Sequence, residues 1–196
     1  MIRPAVLLAL VATLAGCGQP AADKAAERPR ATPTPFVTGG WATVFGDAPK
    51  TIDLLNGMGF RLSPYEQAGG AFIANAMPTP MADPSIKPVN IANLSVRGDA
   101  TRIDRVRFTL DIVNLDSSPF AKDQFARWID RPLASLGLPG RDEVKRGIMT
   151  ESPASGTVPG ADYQITRETI DGGRRLVVDF TRPAPQAGSS SEPRKQ

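Results

Sequence analysis

The stretch DRVRFTLDIVN, Asp104 to Asn114, alternates from end to end. Val106, Phe108, Leu110 and Ile112 point one way; Arg105, Arg107, Thr109 and Asp111 point the other. Successive side chains of a strand leave opposite faces, so this period of two describes a sheet with one covered face and one wet face. A chain holding such a strand must supply neighbours for both edges and a layer to cover the apolar side. The upstream segment NIANLSV supplies one neighbour, with Ala92, Leu94 and Val96 on one side, and RGDATR between the two carries the Gly-Asp signal of a hairpin. Downstream, Tyr163 and Ile165, an Asp-Gly-Gly turn, then Leu176, Val178 and Phe180 read as a second hairpin. AFIANAM, residues 71–77, predicts one more strand, after which Pro78, Pro80, Pro84 and Pro88 mark an irregular loop.

Helical patterns supply the covering layer. Asp47 is placed to cap a short helix with Pro49 in its first turn, Ile52, Leu55 and Met58 on one face, and Gly57 and Gly59 at its end. Ser118 as N-cap and Pro119 at the first helical position open a second helix with an apolar stripe of Phe125, Trp128, Ile129, Leu133 and Leu136, which Pro132 is expected to kink or break near Trp128. A third, short helix is expected over Asp142 to Met149, with Gly147 counting against it. Trp41 and Phe45 read as core or as a docking strand. The order of elements predicts an α+β fold: one domain, residues 39–181, with an antiparallel sheet of about five strands and two or three helices on one face.

The ends differ in composition. Arg3 precedes an apolar run from Ala5 to Ala15, shorter than the ~20 residues of a membrane span and followed by small residues. The run ends in Leu14-Ala15-Gly16-Cys17, which resembles the lipobox of bacterial lipoproteins. The resemblance implies that residues 1–16 are a removed signal peptide and that Cys17 is acylated to become the first residue of the mature chain. It also implies anchoring in a membrane, since two or more acyl chains hold a protein stably. Gly18 in place of the aspartate that favours inner-membrane retention implies the outer membrane. Residues 17–38 then read as the lipidated cysteine and a disordered tether, and residues 182–196 as a disordered basic tail.

Charge and residue types limit the chemistry. The chain carries 23 Lys+Arg against 20 Asp+Glu, net +3. Residues 39–181 hold 16 against 17, so the excess lies in the ends and nucleic acid is not the expected partner. There is no histidine and one cysteine, which removes the commonest general base, triad partner and metal ligand. No catalytic residue, metal ligand or cofactor is assigned. Asp99, Asp104, Asp111 and Asp116 lie close in sequence, but Asp104 and Asp111 have opposite strand parity. Ser85 and Lys87 lack the S-x-x-K spacing of serine acyltransferases. Arg97-Gly98-Asp99 reads as turn chemistry.

One patch remains. Arg97, Arg105 and Arg107 share parity, and Arg167, Arg174 and Arg175 are expected to join them in a face for an anionic partner. The expected function is therefore a non-catalytic, lipid-anchored periplasmic lipoprotein that binds or helps assemble an envelope component, with membrane lipid and an envelope protein as partners. The alternatives are an envelope hydrolase using carboxylates or a Ser–Lys pair, and binding of anionic lipid or lipopolysaccharide through the arginine face.

Overall fold

The computed structural model describes residues 39–83 and 85–184. The signal segment, Cys17, the tether and residues 185–196 lie outside the described residues. Two short helices come first, α1 (Gly40–Gly46) and α2 (Ala48–Gly57). They divide at Asp47, whose extended backbone ends one helix and whose carboxylate accepts the Lys50 N–H at 3.0 Å to cap the next. Strands β1 (Glu66–Ala68), β2 (Ala71–Asn75), β3 (Thr79–Pro80), β4 (Ile91–Gly98) and β5 (Ile103–Ile112) follow. The chain then crosses through α3 (Ser118–Ser135) and α4 (Arg141–Thr150) into β6 (Ala154–Val158), β7 (Ala161–Ile170) and β8 (Gly173–Thr181).

All pairings are antiparallel, in the spatial order β1-β2-β4-β5-β8-β7-β6 with β3 also beside β4. Two meanders thus meet along β5 and β8, the most buried strands. β2 pairs with the Ser95–Gly98 half of β4 and β3 with Ile91 and Ala92, so the two behave as one edge strand interrupted at Ala76–Pro78. The expected fold class holds, with eight strands rather than five. The additional three, β1, β3 and β6, are short edge strands. An edge strand buries little, so no alternation is imposed on its sequence.

The helices cover the apolar side of the alternating strands. Leu94, Val96, Phe108, Leu110, Leu176, Val178 and Phe180 meet Phe125, Ile129 and Leu133 of α3 and Val144 and Ile148 of α4 in one core. α1, not foreseen as a helix, carries Trp41, Val44 and Phe45 into it. Trp41 stacks on Phe180 with ring centroids 4.3 Å apart, Phe180 meets Phe108 edge-on at 6.5 Å, and Phe108 meets Trp128 edge-on at 5.8 Å. A chain of rings therefore ties α1 through the sheet to α3.

Local expectations fail where packing overrides propensity. α3 continues through Pro132 as one helix, so of the expected kink or break the break does not occur. The proline ring is buried with Ile129 and Leu133, and its carbonyl still accepts the Leu136 N–H at 2.9 Å. Burial of that stripe offsets the one hydrogen bond lost. Ser118 is the first helical residue rather than the cap, and its buried hydroxyl accepts from Arg174 at 3.0 Å. Gly147 sits inside α4 because β7 lies against it: a Cβ there would come within 2.3 Å of Ile165 Cδ1. Asn90, fully buried, ties β4 to the start of α3 by accepting from the Val113 and Asn114 N–H groups and donating to Ser117 Oγ.

Candidate functional site

The helices leave the other side of the sheet open, and its side chains line up in cross-strand rows. One row runs Arg97, Arg105, Thr181, Asp162, Thr157 from β4 to β6. The next runs Ser95, Arg107, Asp179, Gln164, Ser155. A third places Asp111 beside Arg175, and Arg175 beside Glu168. Two of these contacts are forked ion pairs. Arg107 donates to both Asp179 oxygens at 2.8 and 2.7 Å, and Arg175 to both Asp111 oxygens at 2.5 and 2.8 Å. The carboxylate bonds push both guanidinium pKa values upward. Asp179 is only 8% exposed although no helix covers it, and Val177, on the same face of β8, is buried too. A trough of about 380 Å³ lies over β5 to β6, lined by Arg105, Asp179, Gln164, Ser155 and Thr157 among others.

Of the six arginines expected to share a face, Arg97, Arg105, Arg107 and Arg175 do so. Arg167 and Arg174 do not. Arg167 is registered opposite Leu176, and Arg174 opposite Ile112, both core residues. Adjacent strand residues point to opposite faces, so Arg174 and Arg175 could not both face outward. Both corrected arginines instead reach Glu151, which follows α4 in the left-handed region at φ 52°. Arg174 forks onto it at 2.5 and 2.7 Å, Lys122 of α3 approaches at 3.0 Å and Arg167 at 3.9 Å. The Arg174 bonds, then Lys122, pull the Glu151 pKa from 4.5 down to about 2. Four elements are clamped at one carboxylate. Nothing in the local sequence pattern distinguishes Glu151, because its partners come from 16 to 29 residues away.

The other candidate groups are engaged in holding the chain. Asp104 pairs with Arg182 at 2.5 Å. Asp99 accepts from the Thr101 N–H and hydroxyl and the Arg102 N–H, which lower its pKa to about 2 and fix the hairpin turn. The Arg97-Gly98-Asp99 tripeptide is thus spent on its own turn. Tyr65 adds a bond from its hydroxyl to the Asp99 carbonyl at 3.0 Å. Ser85 gives its hydroxyl to Asp83 at 2.7 Å rather than to Lys87. Among the described residues, no group of three or more His, Cys, Asp or Glu side chains is placed to hold a metal ion, and no helix is long and apolar enough to cross a membrane.

A second feature lies at the margin of the sheet. Residues 79–83 and the outer face of α3 form the walls of a groove of about 490 Å³, lined on the helix side by Phe120, Gln124, Arg127, Trp128 and Arg131. Trp128 backs onto Phe60, Phe108 and Phe125 and presents its remaining surface to the groove. Phe120 is 55% exposed. Arg127 reaches Asp123 one turn away at 2.9 Å, and Asp83 stands on the opposite lip. The sequence assigns Trp128 wholly to the core and passes over Phe120. The available signal was angular: Phe120 lies about 140° around the helix from Phe125, off the buried stripe. No family model, no curated protein and no solved structure matches this chain.

Proposed function

We propose that the protein is a lipid-anchored lipoprotein of the cell envelope, facing the periplasm and held in the outer membrane, whose domain binds another envelope protein without catalysing a reaction. The Leu14-Ala15-Gly16-Cys17 box and the Gly18 that follows support the address. The groove beside α3 carries the binding reading. An exposed Phe, a half-buried Trp and two arginines, Arg127 and Arg131, on one concave surface are the residue types that dominate protein interfaces. Arg131 has no ion-pair partner among the described residues, so the groove suits a segment with an apolar side chain flanked by carboxylates. Against an acid–base hydrolase stands the geometry of the carboxylates. Such chemistry needs two of them across one gap, whereas Asp111 and Asp179 each accept a forked arginine.

A photo-crosslinking residue at position 120, in cells, tests this. The expected result is one discrete adduct that disappears when Arg131→Glu is added. An adduct pattern no different from that of the same probe at exposed Arg146, or one indifferent to Arg131→Glu, overturns it.

A second reading, recognition of an anionic group by the open sheet face, is favoured by one observation. Arg97 and Arg105 stand opposite one another with no ion-pair partner among the described residues.

A further inference from the structure

The arginines of the open face pair off until two remain. Arg107 is taken by Asp179, Arg175 by Asp111, Arg102 by Asp99 and Arg182 by Asp104. Arg97 and Arg105 are left, and the β4–β5 register places them directly opposite each other. Side chains so placed start about 5 Å apart at Cβ, and like charges there are destabilising. A folded chain with 17 acidic residues in this domain has left this one cross-strand arginine pair without a carboxylate. Two planar guanidinium groups on side chains that start so close can turn several N–H donors toward one anion, and such donors suit a tetrahedral oxyanion.

What surrounds the pair narrows the ligand. Arg105 forms one end of the 380 Å³ trough, and Thr181 is its next neighbour across β8. Farther along lie the hydroxyls of Ser155 and Thr157 and the amide of Gln164. Between Thr181 and Thr157, two strands from Arg105, Asp162 accepts the Thr157 hydroxyl at 2.8 Å and has no cationic partner among the described residues. The trough is therefore positive at its Arg105 end and, beyond Thr181, carries the carboxylate of Asp162 among neutral polar groups, the Asp179 carboxylate being taken by Arg107. A polyanion lying along it would meet Asp162. A single phosphoryl group on a neutral, hydroxyl-bearing carrier would not, and its hydroxyls would find donors and acceptors.

We propose that Arg97 and Arg105 form a binding site for one phosphoryl group, with the adjacent trough receiving the hydroxylated carrier. This deepens the second reading above and rests on it; it does not depend on the amino-terminal anchor. The shared chemistry is available from two sources, a soluble phosphorylated sugar or a phospholipid headgroup.

The full chain carrying Cys17→Ser, so that no acyl group contributes, is titrated with glucose 1-phosphate and, separately, with vesicles of phosphatidylglycerol or of phosphatidylcholine. Binding to either phosphoryl probe, weakened by salt, is expected, and Arg97→Ala or Arg105→Ala should each lower the affinity about tenfold or more. Arg146→Ala, on the exposed side of α4, should leave it unchanged. Saturation by the sugar phosphate assigns a soluble source; binding only to phosphatidylglycerol vesicles assigns the lipid. A thermal readout separates site from scaffold. Without ligand, Arg97→Ala should keep or raise Tm, because it removes a like-charge pair, and it should abolish the ligand-induced rise seen in the parent chain. Salt-sensitive binding that survives the double Arg97→Ala/Arg105→Ala variant overturns this site and leaves the broader reading standing. A parent chain that binds neither probe removes both.

Discussion

Glu151 joins α3, α4, β7 and β8 through Lys122, Arg167 and Arg174 while sitting at φ 52°, a conformation uncommon for a residue with a side chain. Its carboxyl is held at a pKa of about 2 instead of 4.5, foremost by the forked Arg174 bonds. A depressed carboxyl pKa stabilises the fold in full above the unfolded value. That contribution falls away as pH drops from about 4.5 through about 2. Glu151→Gln should therefore destabilise the domain by roughly 2–3 kcal/mol near neutral pH, since it leaves two mostly buried cations short of their counter-charge. Urea denaturation of both proteins from pH 7 down to pH 2 measures it. The gap should close toward the acid end, and a gap that is absent or independent of pH would contradict the role assigned to this residue.

The β4–β5 hairpin is the element on which the sheet is built, and its turn is tightly specified. The register shifts at Arg97/Gly98, and a Cβ on Gly98 would stand 2.0 Å from the Arg102 carbonyl oxygen and 2.7 Å from Ile103 Cα. Both are backbone atoms of the paired chain, so no flexible side chain can move aside to relieve the contact. Gly98→Ala should cost about 3 kcal/mol or more, while Gly57→Ala, at the end of α2 with open space around it, should stay within about 1 kcal/mol of the parent in thermal unfolding. Elements with this much internal constraint were legible in the sequence: the alternating β4 and β5, the β7–β8 hairpin, the capped α2, and α3 with its stripe. What escaped was set by tertiary partners. α1 is only seven residues long and is held by burying Trp41 and Phe45 rather than by any helical signal of its own. The edge strands β1, β3 and β6 bury too little to leave a pattern. The arginine face was legible for Arg97, Arg105, Arg107 and Arg175 and failed for Arg167 and Arg174. Strand parity already sets both with apolar neighbours, Arg167 with Ile165 and Arg174 with Leu176, and the β7–β8 register keeps that parity to the turn, where Ile170 pairs with Gly173. The groove depended on how residues 79–83 approach α3, which no local pattern states.

At the scale of the molecule, a near-neutral domain presents two different surfaces around one core. The open sheet face is polar, with its charges largely paired; the groove beside α3 is aromatic and basic. Neither concentrates acid–base groups on a common point. In the proposed function both are surfaces for holding something, and the proposed acyl anchor would fix where the holding takes place. Two acyl chains or more bind a bilayer stably, and without them the folded domain offers no apolar helix of membrane-spanning length among its described residues. The most direct test of a binding domain tethered to a membrane is fractionation of cells expressing the parent chain or Cys17→Ser. The parent should sediment with membranes and resist extraction by salt, and Cys17→Ser should shift to the soluble fraction. Equal membrane association of the two, or a parent chain that is soluble, would contradict the account.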